Sequence, residues 1–506
     1  MGVVIGLKDL TCKDVVAVAR FNEKVLLDQS AEDRILASRA VVDKYVKESK
    51  IAYGITTGVG KLCNTIVSPE QAAQLQTNLS MSHSCGIGEP LSEEEARAIM
   101  LIRANILSLG YSGVSLPVVK TLISMLNAGI NPVLPKNGGV GSSGSLSIGA
   151  HLALAMTGKG EVFLKGERML SDRAFMLCGL EPVTLQTKDC LCLINGTHSM
   201  CGIGILALQD LYTAVKTAEI AAALSLEAMT GNVAAFDIRI NEAKKHQGQR
   251  NVALNVLRMI ENSELYNLKP RSVQDAYSLR CLPQIHGGAR ETMMFSQSIL
   301  EREINSVSDN PLILVDDETI LSCGNFHGQI PAIALDNIAI ACATIAKISE
   351  RRISRLVDPQ SSGLPAFLVK NSGLNSGYMI PQYISASLTS EIKLLANPAS
   401  VDSIPTSGGQ EDIVSNGTIA ANKAREAVDN LQIIIGIELM CAAQALELSG
   451  RKNLGAGTAA AYKLIRQYIE SLDNDRIIEP DINTAAKLVS SGELVDATEK
   501  VIGALD

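Results

Sequence analysis

No tryptophan occurs in the 506 residues, and aromatic side chains make up only 3% of them. Flat platforms on which bases could stack are therefore scarce. Positive charge is also short: 45 Lys and Arg stand against 53 Asp and Glu, a formal net charge of −8. An acidic chain of this kind argues against a nucleic-acid partner. Uninterrupted apolar runs of membrane-spanning length are missing too. The stretch 331–347 is broken by Asp336 and Asn337, and 217–231 contains Glu219 and Glu227. The opening Met1-Gly2-Val3-Val4-Ile5-Gly6-Leu7-Lys8-Asp9 reaches charge too early for a secretory segment, and Gly6 stands where a myristoylation signal needs Ser or Thr. Cysteine is present, 11 in all, but the odd count and irregular spacing favour free thiols in a reducing compartment over a disulfide framework. Cys190 and Cys192 are too close for a zinc-type pair, and no metal site is expected. These absences point to a soluble cytoplasmic protein with no nucleic-acid or membrane partner.

What the chain does have is helix. Its length allows about two to four domains. Ser92 and Glu95 are spaced as a capping box opening a periodic run through Leu107, and 116–128 continues as a helix ended by Gly129. Long helices are predicted over 200–230, 290–306, 331–357 (opening at Pro331) and 415–449, stopped by Gly450. They are apolar on more than one face, so they belong deep in a bundle or in a subunit contact. The expected fold class is mainly α. No low-complexity linker or short repeat interrupts the sequence.

The feature that can carry chemistry is Gly138-Gly139-Val140-Gly141-Ser142-Ser143-Gly144. If the Gly144 nitrogen attacks the Ser142 carbonyl, a five-membered ring closes. Loss of water from that ring and from the Ser143 side chain leaves an exocyclic methylene conjugated to a carbonyl, an electrophile no ordinary side chain offers. Glycine suits the attacking position because it has no Cβ. Gly139–Gly144 also fits the G-x-G-x-x-G dinucleotide fingerprint, but that needs a preceding strand, and Pro132 and Pro135 are poor strand material. A loop capping the helix that starts near Leu146 is the simplest reading of the glycines alone. Gly60-Lys61 is no P-loop, because Ile55 replaces the first glycine and Leu62 follows the lysine.

Other segments keep company with this loop in a telling order: Tyr53-Gly54-Ile55-Thr56-Thr57-Gly58-Val59-Gly60, Ser82-His83, Asn195-Gly196-Thr197, Gln274-Asp275-Ala276-Tyr277-Ser278-Leu279-Arg280-Cys281, Ser308-Asp309-Asn310-Pro311-Leu312, Gly324-Asn325-Phe326-His327 and Gln410-Glu411-Asp412. From about residue 7 to the C-terminus the chain resembles the aromatic amino acid ammonia-lyase family, and within it the histidine-specific branch. The resemblance implies an electrophile, 4-methylideneimidazol-5-one, formed from Ser142, Ser143 and Gly144 with no external cofactor. It implies an N-terminal part (1–198) carrying the electrophile and Tyr53 loops, a central helical bundle (199–450), a C-terminal helical cap (451–506), and a homotetramer with active sites built from several subunits. The implied activity is non-oxidative elimination of ammonia from L-histidine to give urocanate.

Residue roles follow the same matches. Tyr53 stands at the family's base, although a phenol with a pKa near 10 needs help to act near neutrality. Arg280 offers two parallel donors to a substrate carboxylate. Gln274, Tyr277 and Arg280 recur at steps of three, which on a helix puts them on roughly one face. In the family the tyrosine helps position electrophile and substrate. Asn195 is expected near the electrophile's oxygen, where negative charge grows, and Phe326 is expected to pack on the electrophile or substrate. His83, Glu411 and Met379 are expected to line the pocket for the side chain. A carboxylate and an imidazole suit an imidazole substrate, which has a donor and an acceptor to satisfy, and would be poor neighbours for phenyl.

The sequence also departs from the family. Ser142 replaces the usual Ala, which costs little because that residue lends only backbone. Ser145 stands where Asp is usual, which predicts slower maturation or an altered electrophile. His198, Ala276 and Val59 replace Gln, Pro and Phe. Two further readings stay open: an ammonia-lyase or 2,3-aminomutase acting on another amino acid, and a pseudoenzyme whose electrophile does not form.

Overall fold

Helix makes up 62% of the computed structural model, which describes residues 2–141 and 143–506. Ser142 lies outside the described residues. The fold is mainly α, as the sequence predicts. The chain packs as two units interleaved in sequence. One takes the chain up to Leu206, Ser296–Asp336 and Pro398–Asn422. The other takes Ala207–Phe295, Asn337–Asn397 and Lys423–Asp506.

The first unit is built around the helix Glu93–Ser108. Ser92 Oγ accepts from the Glu95 amide (3.2 Å) and the Glu95 carboxylate accepts from the Ser92 amide (2.8 Å), so two donors that the helix start would leave orphaned are satisfied. From Ala96 to Ser108 every residue is buried, including Arg97 and Arg103. Leu116–Ala128 stops at Gly129, whose φ of 73° is the left-handed cap that glycine adopts without strain. Beyond the loop that holds Ser143, Leu146–Met156 packs on the short buried helix Asp189–Ile194. Gly149 makes that approach possible, since a Cβ there would stand 2.6 Å from the Leu193 carbonyl oxygen.

Strand is sparse and short. Ile130–Pro132 pairs antiparallel with Glu161–Leu164, which pairs in turn with Glu167–Leu170. Pro135–Asn137 pairs antiparallel with Ile87–Pro90. The prolines did not prevent strands here, contrary to expectation. Each sits at a strand end, where a missing donor is tolerated. The antiparallel pairing is nonetheless unlike the parallel βαβ unit a dinucleotide fingerprint requires.

The long helices run His198–Ala228, Leu282–Ile304, Gln329–Val357 and Gly417–Ser449. The second starts eight residues before its predicted position, with Pro283 in its first turn, where no N–H is needed. Gln329–Val357 and Gly417–Ser449 are long and apolar enough to cross a membrane by length and composition, but 67% and 83% of their most apolar windows are buried inside the protein. Within the second unit Glu438 accepts from Arg352 Nε (2.5 Å) and Nη2 (2.8 Å) and from Ser349 Oγ (2.5 Å), with the Arg352 and Glu438 side chains fully buried. Such a pair belongs to a protein interior that satisfies its own charges. All eleven cysteines are free. Cys85 is exposed, and Cys12, Cys190, Cys192, Cys201, Cys342 and Cys441 are buried.

Candidate active site

The glycine-rich loop is held from two sides. Ser415 Oγ donates to the Gly141 carbonyl (2.9 Å) and the Asn416 amide to the Val140 carbonyl (2.8 Å). Opposite, the Gly196 amide donates to the Ser143 carbonyl (3.0 Å), and Gly144 and Gly196 form an isolated parallel bridge. Gly144 has φ +85°, and a Cβ added there would collide with the Gly196 carbonyl. Only glycine fits at this position. Ser145 precedes the helix Leu146–Met156 in the N-cap position without capping it. Its hydroxyl pairs instead with Thr418 Oγ1 at 2.5 Å, fully buried.

Asn195 follows the helix Asp189–Ile194 as its C-cap. Its Nδ2 donates to the Asn310 carbonyl (2.9 Å) and to Asp309 Oδ1 (3.4 Å). Lys188 Nζ lies 3.1 Å from Asp309 Oδ2, and Arg103 Nη2 lies 3.9 Å from the same oxygen, all three side chains fully buried. Burial works against the Lys188 charge, but Asp309 and Cys192 outweigh it and hold the ammonium above its ordinary value. His198 starts the helix after Thr197. Burial, reinforced by the Arg103 charge, pushes it well below its ordinary value, so it is neutral.

Five of the expected residues, Tyr53, His83, Ser143, Asn195 and Glu411, line one cavity of about 530 Å³. Ser143 Oγ donates to Glu411 Oε1 (3.2 Å), and Thr406 Oγ1 donates to Glu411 Oε2 (2.5 Å). Tyr53 Oη accepts the Gly60 amide across its own loop (2.9 Å). Burial pushes the Tyr53 hydroxyl up. The Gly60 N–H opposes this, and the Glu411 carboxylate adds to it. His83 ends the helix Ala72–His83, with Nδ1 3.0 Å from Ser82 Oγ. Burial draws it below its ordinary value, with the Leu79 backbone and the Glu411 carboxylate pulling the other way. Leu79, Leu146, Leu191 and Ile194 supply the apolar wall. Asn78, Lys61 and Ser407 also line the cavity and were not singled out from the sequence. Asn78 could have been, because it lies four residues before Ser82, on the same helix face. Phe326 sits in a turn of the same unit and is not among the cavity-lining residues.

A family model of aromatic amino acid lyases matches residues 10–467. The chain belongs to the aromatic amino acid lyase family. A histidine ammonia-lyase of Alkaliphilus oremlandii is 48% identical over 502 residues, 99% of each chain. The crystal structure of histidine ammonia-lyase from Trypanosoma cruzi matches with a TM-score of 0.91 and 38% identity, covering 99% of this chain and 95% of that one. Tyrosine aminomutase from Streptomyces globisporus matches with a TM-score of 0.95 and 33% identity over 100% of both chains.

The remaining expected residues of this lyase lie in the second unit. The helix there covers only Tyr277–Arg280, and Gln274 falls before it, in a turn where Ser272 Oγ accepts the Gln274 amide (3.2 Å) and donates to its carbonyl (2.8 Å). The three-residue spacing therefore does not express one helix face. The residues still meet. Arg280 stacks on the Tyr277 ring at 4.5 Å, and its Nε donates to the Asp275 carbonyl (2.9 Å). With its amide oxygen turned towards the guanidinium, Gln274 accepts from Nη1 (2.8 Å) and Nη2 (2.6 Å). Tyr277 is 66% exposed. Met379 is half-buried at the start of the helix Met379–Leu395.

Proposed function

We propose that this lyase eliminates ammonia from L-histidine without oxidation, giving urocanate, and so acts as a carbon–nitrogen lyase. The observation that carries the reading is the shared cavity of Tyr53, His83, Ser143, Asn195 and Glu411. An imidazole ring has one donor and one acceptor. The Glu411 carboxylate takes the ring N–H, while Ser82 or the neutral His83 serves the other nitrogen. A phenyl ring would leave that carboxylate unpaired on closing the site, at a cost of about 1–3 kcal/mol or more.

The family implies 4-methylideneimidazol-5-one at Ser142, Ser143 and Gly144, made by losing two waters from the backbone and the Ser143 side chain. The residues fit it: Gly144 stands at positive φ where no side chain can be accommodated, and Ser143 opens on the cavity. When formed, this group supplies an electrophilic methylene that makes the substrate's amine a better leaving group. Tyr53 takes the β-proton at its hydroxyl oxygen, with the Gly60 N–H supporting the phenolate. Arg280 receives the substrate carboxylate. Its stacking on Tyr277 and its contact with Gln274 support that role by fixing the guanidinium plane. Asn195 contributes its amide beside Ser143, and the family match assigns apolar surface to Met379 and Phe326, neither of which lines this cavity in the single chain.

The assembly is a homotetramer with sites built from several subunits. Exposed Ile330 (63%) and Met294 (55%) support it, because large apolar groups on long helices are available to a second copy. Eleven free thiols support a cytoplasmic location. The likeness to tyrosine aminomutase favours a second reading, in which the amine returns to the β-carbon.

Incubation with a panel of amino acids, followed by ultraviolet absorbance of unsaturated acids and chromatography of β-amino acids, tests the proposal. Histidine should give the fastest rise in absorbance. A faster rise with another amino acid would overturn the substrate, and a β-amino acid product would turn the reaction into an isomerisation. An intact mass lacking the loss of two waters would leave a pseudoenzyme.

A further inference from the structure

Lys188 is an unusual residue to find where it is. It has φ 70° and ψ −14°, the left-handed region that a lysine enters only with strain, in the N-cap position of the helix Asp189–Ile194. Its side chain is fully buried, yet it ends in an ammonium. Burying a charge is costly unless a partner answers it. The partner is Asp309, 3.1 Å away and 121 residues on. Arg103 bears on the same carboxylate at 3.9 Å, so two buried cations face one buried anion. A protein that only needed a neutral core would not keep this excess.

The other Asp309 oxygen shows what the arrangement achieves. Oδ1 accepts from the Asn310 amide (2.7 Å) and from Asn195 Nδ2 (3.4 Å), and Asn195 Nδ2 also donates to the Asn310 carbonyl (2.9 Å). A primary amide nitrogen has two hydrogens. Both are spent on acceptors inside the protein, which fixes which way the Asn195 amide points. What Asn195 has left for the cavity is its oxygen, an acceptor. With both hydrogens committed, Asn195 has no N–H left for an oxygen of the electrophile. An acceptor beside Ser143 suits the N–H groups of a substrate's amine.

We infer that Lys188 and Asp309 are positioning residues for the lyase reaction: Lys188 holds the Asp309 carboxylate, and Asp309 with the Asn310 carbonyl turns the Asn195 amide so that its oxygen meets the substrate's amino group. The inference rests on the proposed elimination. It involves no new covalent step and needs no further reactant.

The experiment compares wild type, Lys188→Met, Lys188→Arg and Asp309→Asn by steady-state kinetics with histidine, by intact mass and by thermal unfolding. In Lys188→Met the carboxylate loses its nearer cation. kcat should fall on the order of 100-fold, the scale of a misplaced reacting group, while KM changes little and the chain still loses two waters. Lys188→Arg restores the charge and should recover part of kcat. If Lys188→Met does not fold, Asp309→Asn carries the test. There Lys188 claims the single amide oxygen and the new NH2 faces Asn195, reversing its orientation, so kcat should drop by the same order. Wild-type kcat in a folded Lys188→Met or Asp309→Asn variant overturns the inference, as does a loss carried entirely by KM. Wild-type protein that turns over no amino acid is a failure of the proposed elimination instead, and the unmutated control reads it directly.

Discussion

Tyr53 must give up its own proton before it can take one from a substrate. Burial sets it against that task, and the Glu411 carboxylate across the cavity adds to the difficulty, while only the Gly60 N–H helps. A base with a raised pKa is active in its deprotonated form, so kcat/KM should climb as pH rises into the alkaline range. Removing the carboxylate's charge relieves one of the opposing effects. In Glu411→Gln the rising limb should therefore move to lower pH, even as histidine itself binds less well for want of its ring partner. A pH series of kcat/KM on both proteins checks this, and a limb that stays put or moves up contradicts it. Tyr53→Phe should show no such limb, because the group that titrates is gone. His83 is drawn below its ordinary value by burial and carries no charge near neutrality, so it does not cancel the Glu411 field. Its part is to offer a neutral ring and, with Ser82, a hydrogen bond.

Helix ends are where local chemistry decides structure here. The Ser92–Glu95 box is worth about 1 kcal/mol by analogy with other caps. Ser92→Ala should speed hydrogen exchange at the Glu95 and Ala96 amides about fivefold and leave the middle of Glu93–Ser108 protected, since that part is held by burial. Unchanged exchange at those amides would mean the cap contributes nothing. Capping signals such as these, with Gly129 and Gly450, made helix limits legible from the sequence. Three features were not legible, for different reasons. The Tyr277–Arg280 helix is too short to show a period, so the steps of three suggested a longer one. The proline-flanked strands depend on partners at Ile87–Pro90 and Glu161–Leu164 that no local pattern names. The Ser145–Thr418 and Lys188–Asp309 contacts span 273 and 121 residues, and periodicity carries no information at that range. The chemical residues were visible only as motifs. That Tyr53, His83, Ser143, Asn195 and Glu411 surround one cavity is a property of the folded chain.

At the scale of the molecule, apolar groups left exposed on long helices are the main unsettled cost of the single chain. Ile330, 63% exposed near the start of Gln329–Val357, is one of them. In the proposed tetramer, Ile330→Asp would place a charge in a subunit contact. Light scattering should then report a mass well below four chains, and turnover should fall with it if the site draws on several copies. A tetramer that persists with full activity would remove this helix start from the contact. The distribution of thiols has a practical consequence. Most buried cysteines here are poor nucleophiles, Cys192 for example being pushed up to about 12, chiefly by burial. Cys85, two positions beyond His83, is exposed, and Cys63, Cys178, Cys281 and Cys323 are half-buried. A maleimide fluorophore should thus label Cys85 fastest, close in sequence to a pocket-lining residue, giving a ready-made optical reporter of substrate entry without any engineered cysteine.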